Sequence, residues 1–317
     1  MGDPLRVLVT GDPLTVLVTG VSGSVGSVLA PALVRAGHEV RGLSRDPRRA
    51  TIDVPVLEGD VISGTGLATA LDGVDVAYYL IHSMEPSPDG PFLRRERAGA
   101  ERFARAAAAA GVRRIVYLGG LIPGGGAVSD HLASRRAVEE ILLDGVPGSV
   151  ALRASIVIGA RSRSFRFLVR LVERLPVIAF PGWAANRTQP IDERDIVALL
   201  ISAATSAGAA GRSLDAVGPD VVSYGELITR IRDSMLVDRP TLGLGRLTAT
   251  PIASRLTSLI AGEQHELIGP LMESLESDLL PRDEEAARLL GVRLHPLEAA
   301  IEHALGVWER EEPLRAR

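Results

Sequence analysis

The chain of 317 residues predicts an α/β protein: a doubly wound parallel sheet followed by a smaller, mostly helical C-terminal lobe. Three observations predict it. Apolar, β-branched runs of strand length alternate with helical patterns from residue 14 to residue 158. The first run leads straight into regularly spaced glycines and an amphipathic helix. After Gly159 the alternation loosens, and Pro and Gly break the chain into short helical segments.

Val16-Leu17-Val18-Thr19 suits a buried parallel strand. Gly20, Gly23 and Gly26 follow at G-x-x-G-x-x-G spacing. The next helix puts Val25, Val28, Leu29, Ala32 and Leu33 on one face and ends at Gly37. Strand, glycine turn and helix in this order form the context of a dinucleotide-binding fingerprint. Gly20 turns the chain, Gly23 admits a pyrophosphate to the backbone, and Gly26 lets the helix approach the strand. The free N–H groups at the helix start face the anion. The candidate phosphate-binding residues are therefore Gly20, Ser22, Gly23, Ser24, Val25 and Gly26. Pro31 breaks a local rule inside this helix and predicts a kink.

His38–Ser44 reads as the second strand, whose end lies near the adenosine ribose. No carboxylate closes it. Arg45 follows, then Arg48 and Arg49, and an arginine there pairs with a 2′-phosphate, which favours NADP(H) over NAD(H). Residues 54–61 read as the third strand and its exit. Asp60, followed by Val61, is a candidate for the adenine amino group or, equally, a turn-capping aspartate. Residues 74–81 form a fourth strand that brings Leu80, Ile81 and then His82 to the ligand crevice, with Tyr78 and Tyr79 packing against helices. The Pro/Gly-rich loop 85–91 is a candidate lid. A helix over 92–110, a strand at 114–118, a helix from Ser129-Asp130 through Leu143 and a single strand over 150–158 complete the alternation.

Beyond it, 163–175 forms a basic amphipathic helix expected to cover the substrate crevice. A helix capped near Asp192 follows, then a short strand at 214–217 that returns to the sheet. The domain boundaries expected are a duplicated extension at 1–12, a nucleotide-binding domain at 13–160 and a substrate lobe at 161–317, with 186–217 rejoining the sheet. The extension arises because 2–10 recur as 11–19 with one change, Arg6 against Thr15. The first strand has no vacant neighbour for a copy, so 1–12 is expected outside the core.

Composition narrows the chemistry. Net charge is −4, which provides no basic field for nucleic acid, and aromatics make up 3%. There is no cysteine, so disulfides, thiolate metal sites and cysteine nucleophiles are excluded; no metal site is expected. All 35 basic residues are arginine, which excludes Schiff-base and lysine-relay chemistry. No apolar run reaches membrane-spanning length and no signal-peptide pattern opens the chain, so a cytoplasmic protein without membrane contact is expected.

The segments TGVSGSVG (19–26), the GD pair (59–60), YLIHSM (79–84), ERAGAERFARAAAAAGV (96–112), LRASIVIG (152–159), RTQPIDERDI (187–196) and AVGPDVVSYGEL (216–227) resemble an atypical, extended-type short-chain dehydrogenase/reductase of the NmrA-like NAD(P)H-binding branch. The resemblance implies a Rossmann domain, a nicotinamide cofactor and a small variable substrate lobe. Catalytically complete relatives use a Ser and a Y-x-x-x-K pair. Gly119-Gly120 stands here in place of the serines, His131 stands for the tyrosine and Arg135 for the lysine. The resemblance thus makes His131 a proton donor and Arg135 the holder of the nicotinamide ribose, with His82 as a further protonic candidate. The first reading is an NADPH-dependent reductase of a small carbonyl, enone or quinone-like substrate. A catalytically silent NADP(H) sensor is the second, and a sugar-nucleotide epimerase ranks third.

Overall fold

Each apolar run in the N-terminal half must be followed by a crossover before the next strand can pair in parallel, and the helices supply those crossovers. The computed structural model describes residues 12–81, 92–122, 130–243, 275 and 277–312. Strands β1 (Thr15–Thr19), β2 (Glu39–Ser44), β3 (Val56–Glu58), β4 (Val76–Tyr79), β5 (Arg114–Gly120) and β6 (Val150–Ala154) enter in order. Among them lie α1 (Gly26–Arg35), α2 (Leu67–Leu71), α3 (Phe92–Ala109) and α4 (Asp130–Gly145). Then come β7 (Val157–Ile158), α5 (Arg163–Arg174), β8 (Ile178–Phe180), β9 (Arg187–Thr188), β10 (Ile191–Asp192) and α6 (Glu193–Ala203). The chain continues through β11 (Ser213–Ala216), β12 (Val222–Ser223), α7 (Tyr224–Ser234), β13 (Thr241–Gly243), α8 (Glu285–Leu290) and α9 (Leu297–Glu311).

The main sheet runs β3-β2-β1-β4-β5-β6-β11, with every neighbouring pair parallel. Strand order reverses between β1 and β4, which is where such a sheet opens a ligand crevice at its C-terminal edge. Alternation along β1 assigns its two faces. Val16 and Val18 pack with Leu29 and Leu33 of α1 and Ile196 and Leu200 of α6. Leu17 faces the other layer, with Phe103, Ala107 and Leu142 of α3 and α4. Tyr78 and Tyr79 divide in the same way. Tyr78 donates to the Leu200 carbonyl at 3.1 Å, and Tyr79 meets the Phe103 ring edge-on at 5.1 Å.

A second apolar core joins α5, α7 and α9 through Phe165, Val169, Leu227, Ile231, Ile301 and Trp308. The basic side of α5 has partners within the protein. The Arg166 and Arg170 guanidinium groups lie 4.2 and 5.0 Å from the Trp308 ring centre, and both pair with Glu312. Among the described residues no helix is long and apolar enough to cross a membrane.

The fold corrects the strand expected over 150–158. It divides at Ser155, whose hydroxyl donates to the Gln189 carbonyl at 2.5 Å, so β7 leaves the main sheet and pairs with β10. Strand β5 extends two residues beyond the predicted span, and β3 and β4 are shorter than predicted. α1 continues through Pro31 to Arg35 and its chain turns at Gly37, φ +86°. β11 joins the sheet edge beside β6, where a returning strand was expected. The duplicated segment 1–11 and the loop 82–91, including His82, lie outside the described residues.

Candidate functional site

The glycine turn is built by backbone contacts that leave no room for side chains. Gly20 takes φ +66° and packs on the Leu80 carbonyl at the end of β4. A Cβ on Gly26 would sit 2.3 Å from the Gly20 carbonyl oxygen, so only glycine lets α1 start this close to β1. The Gly23 N–H donates to the Gly20 carbonyl at 2.8 Å and closes the turn. α1 begins without a side-chain cap and with no acidic residue in its first turn. Among the described residues the N–H groups of Ser22, Ser24 and Val25 make no turn hydrogen bond to another carbonyl. Uncapped donors, no carboxylate and the helix dipole fit a dinucleotide pyrophosphate.

Leu80 and Ile81 lie half-buried across the switch point from this turn, and the Leu80 N–H donates to Thr19 Oγ1 at 3.2 Å. Thr19 in turn donates to the Tyr78 carbonyl at 3.0 Å, tying the ends of β1 and β4 together. At the end of β2, Arg45 is exposed. Asp46 is occupied by its neighbour: Arg48 Nε donates to its carboxylate at 2.9 Å and holds that carboxyl below its ordinary range. The basic turn therefore presents Arg45 beside an aspartate already neutralised by Arg48. Asp60 caps its own turn, accepting from the Ile62 N–H at 2.9 Å. The Val61 side chain is buried in the apolar layer that contains Phe103 and Ala107 of α3.

At the far side of the crevice α4 carries the two positions matched to the relay. Helical spacing sets His131 and Arg135 one turn apart; the His131 side chain is not among the described groups. Arg135 lies over the end of β5: a Cβ on Gly120 would be 3.7 Å from Arg135 Cδ. Gly119 fills a different role. Its missing side chain makes room for the Tyr117 ring, which a Cβ would approach to 2.8 Å. The Tyr117 hydroxyl donates to the Arg135 carbonyl at 3.3 Å, and burial pushes its pKa well above the ordinary range.

Two buried polar pairs behind this edge had no signature in the sequence reading. Ser134 Oγ donates to Glu96 Oε2 at 2.7 Å between α4 and α3. Arg153 of β6 donates to Glu139 of α4 at 2.5 and 2.9 Å, with Asp215 of β11 at 3.7 Å. Both brace α4, the helix that carries Arg135, and no sequence pattern announces them because each joins residues far apart in the chain. Among the described residues no cluster of His, Asp or Glu could hold a metal ion.

The family model described as NAD(P)H-binding matches residues 20–141. A "(4-alkanoyl-5-oxo-2,5-dihydrofuran-3-yl)methyl phosphate reductase" from Streptomyces griseus is 31% identical over 242 residues, which is 74% of this chain and 74% of that protein. A 3-beta-hydroxysteroid dehydrogenase from Mycolicibacterium neoaurum is 33% identical over 133 residues, covering 37% of this chain and 34% of its own. Among solved structures, a short-chain dehydrogenase/reductase superfamily protein from Agrobacterium tumefaciens with bound NAD superposes with a TM-score of 0.66 at 18% identity. That alignment covers 94% of this chain and 97% of that one and shows the shared fold. With its glycine turn at the switch point and a reductase 31% identical across most of both chains, the protein belongs to the NAD(P)H-binding family of that reductase and is an NAD(P)-dependent oxidoreductase.

Proposed function

We propose that this protein is an NADPH-dependent reductase of a small enone, activated carbonyl or quinone-like compound, within the NmrA-like branch of its family. What supports the reading is that Arg45 follows β2 and Arg135 lies over the end of β5, on either side of the switch point between β1 and β4. Arg45 stands at the end of β2, where a 2′-phosphate would lie, and Arg135 lies over Gly120, where a nicotinamide ribose would lie. The relative named for reduction of an alkanoyl-dihydrofuranone, an unsaturated ring carbonyl, supports an enone as substrate class.

A bound nicotinamide supplies hydride to the electron-poor carbon of the substrate. The chain's own residues do the rest. The N–H groups of Ser22, Ser24 and Val25 hold the pyrophosphate, and Leu80 and Ile81 line the cofactor's path. Arg135 holds the ribose hydroxyls and offers positive charge to the oxygen that gains electron density. His131, one turn earlier on α4, returns a proton to the reduced product. His82, immediately after Ile81, is the alternative donor.

The test follows NADPH oxidation by nicotinamide absorbance against a panel of enones, quinones and aldehydes. Turnover with one of them, lowered at least about tenfold in His131→Ala at unchanged NADPH affinity, is the expected result. A cofactor sensor is the second reading, favoured by the Tyr117 ring in the space where a serine at 119 would stand. A protein that binds NADPH, reduces nothing in the panel and binds the oxidised cofactor with a different affinity would establish the sensor instead.

A further inference from the structure

Between Pro13 and Val34 the chain contains no charged residue, so the glycine turn and the first turns of α1 bring no cation of their own to a pyrophosphate. Tertiary structure brings one. Arg161, in the loop after β7, reaches α1, with Nη1 3.5 Å from Ser27 Oγ. Ser27 belongs to the turn: its hydroxyl donates to the Ser24 carbonyl at 3.2 Å and its N–H to the Gly23 carbonyl at 3.0 Å. The contact between Arg161 and Ser27 is too long to anchor the guanidinium.

What holds Arg161 is Glu311, in the last turn of α9, at 2.7 Å. Both side chains are about two-fifths exposed, at 40% and 43%, so this is a surface pair of small net value. Behind it stands Glu193 at the start of α6, 7% exposed, with Oε1 buried against Gly159 and without a hydrogen-bond partner. Arg161 therefore sits beside uncapped helix N–H groups, between one surface carboxylate it can release and one buried carboxylate with an unmet acceptor. Glu311 already meets the guanidinium with both carboxylate oxygens, at 2.7 and 3.4 Å, so a diphosphate is the better partner because it carries more charge and is held by the helix N–H groups as well.

We propose that Arg161 is the diphosphate clamp of the cofactor site, held by Glu311 in the free protein and handed over to the cofactor when it binds. The inference rests on cofactor binding at the glycine turn. It adds a residue from the C-terminal half to that site and couples α9 to cofactor occupancy. The clamp reads the diphosphate, which NADPH and NADH share, whereas Arg45 reads the 2′-phosphate that only NADPH carries.

Calorimetric titration of the full chain with NADPH and with NADH tests it. Arg161→Gln is expected to weaken both nucleotides by about tenfold or more, as the loss of a charge-assisted hydrogen bond implies, with the melting temperature of the free protein unchanged. Glu311→Gln removes the competitor and is expected to tighten both nucleotides by up to about fivefold, the value of a surface pair. Arg161→Gln binding both nucleotides as the native protein does would overturn the clamp. So would Glu311→Gln weakening them as much as Arg161→Gln, because the pair would then be a structural brace. Failure of the native protein to bind either nucleotide would instead defeat the underlying reading of the glycine turn.

Discussion

Arg135 lies against Gly120, with its Cδ 3.7 Å from where a Gly120 Cβ would stand, while the glycine one step earlier is filled by the ring of Tyr117. Two adjacent glycines at the end of one strand thus serve different purposes. Gly120 is an open neighbour of a charged side chain at the crevice, and Gly119 is a socket for a buried aromatic ring on the layer behind it. The difference has a measurable consequence. Gly120→Ala introduces ordinary van der Waals contact and is expected to change stability by less than about 1 kcal/mol. Gly119→Ala forces the Tyr117 ring aside in a packed layer and is expected to cost about 1–3 kcal/mol. Urea unfolding of the two variants checks this, and equal midpoints would refute the distinction.

Burial pushes the Glu193 carboxyl up to about 7, aided by the charge of Asp192 and opposed by that of Arg161. The folded protein keeps a proton that the unfolded chain releases near 4.5, so this group's contribution to stability falls as pH rises from about 4.5 to about 7. The penalty is complete above that window and amounts to roughly 3 kcal/mol. Glu193→Gln preserves the shape without the charge. It is expected to be more stable than the native protein at about pH 8 and to match it only at about pH 4, below the window. A difference independent of pH would mean that Glu193 does not titrate in this window.

Trp308 closes the C-terminal lobe. It is 1% exposed, belongs to the core of α5, α7 and α9, and is covered by two arginine planes. Trp308→Ala is expected to cost about 3–5 kcal/mol through the cavity and the lost cation–π contacts. Trp308→Phe, which keeps an aromatic face, should recover more than half of that loss. A thermal melt in which Trp308→Ala unfolds within a degree or two of the native protein would show that α9 is not fastened through this ring.

The succession of strands and helices along the first half of the chain was legible because each signal was local: β-branched runs, then glycines with a forced backbone geometry, then helices with one apolar face. Gly26 shows why such a signal is dependable, since its contact with the Gly20 carbonyl lies within seven residues of chain. The division of the predicted strand 150–158 was not legible. Apolar residues continue on both sides of Ser155 (Val150, Leu152, then Ile156-Val157-Ile158), so the pattern does not mark the break, and the Ser155 hydroxyl finds its partner at Gln189, more than thirty residues away. The two-residue strands β9 and β12 escaped for the same reason, being too short for periodicity and defined by distant partners, each by the other and β9 also by Leu279. At the site, the glycine turn could be read from position alone. Arg161 could not, because its loop has no nucleotide-binding pattern and reaches α1 only through the packing of the C-terminal half.

The most direct measurement is a side-by-side calorimetric titration of the native protein and Arg45→Ala with NADPH, NADP, NADH and NAD. Both phosphorylated nucleotides are expected to bind the native protein about tenfold or more tightly than their counterparts, and Arg45→Ala should abolish that difference while leaving NADH and NAD unchanged. Equal binding of all four nucleotides by the native protein, or an advantage for NADPH that survives in Arg45→Ala, would contradict the assignment of Arg45 and with it the NADPH-dependent reading.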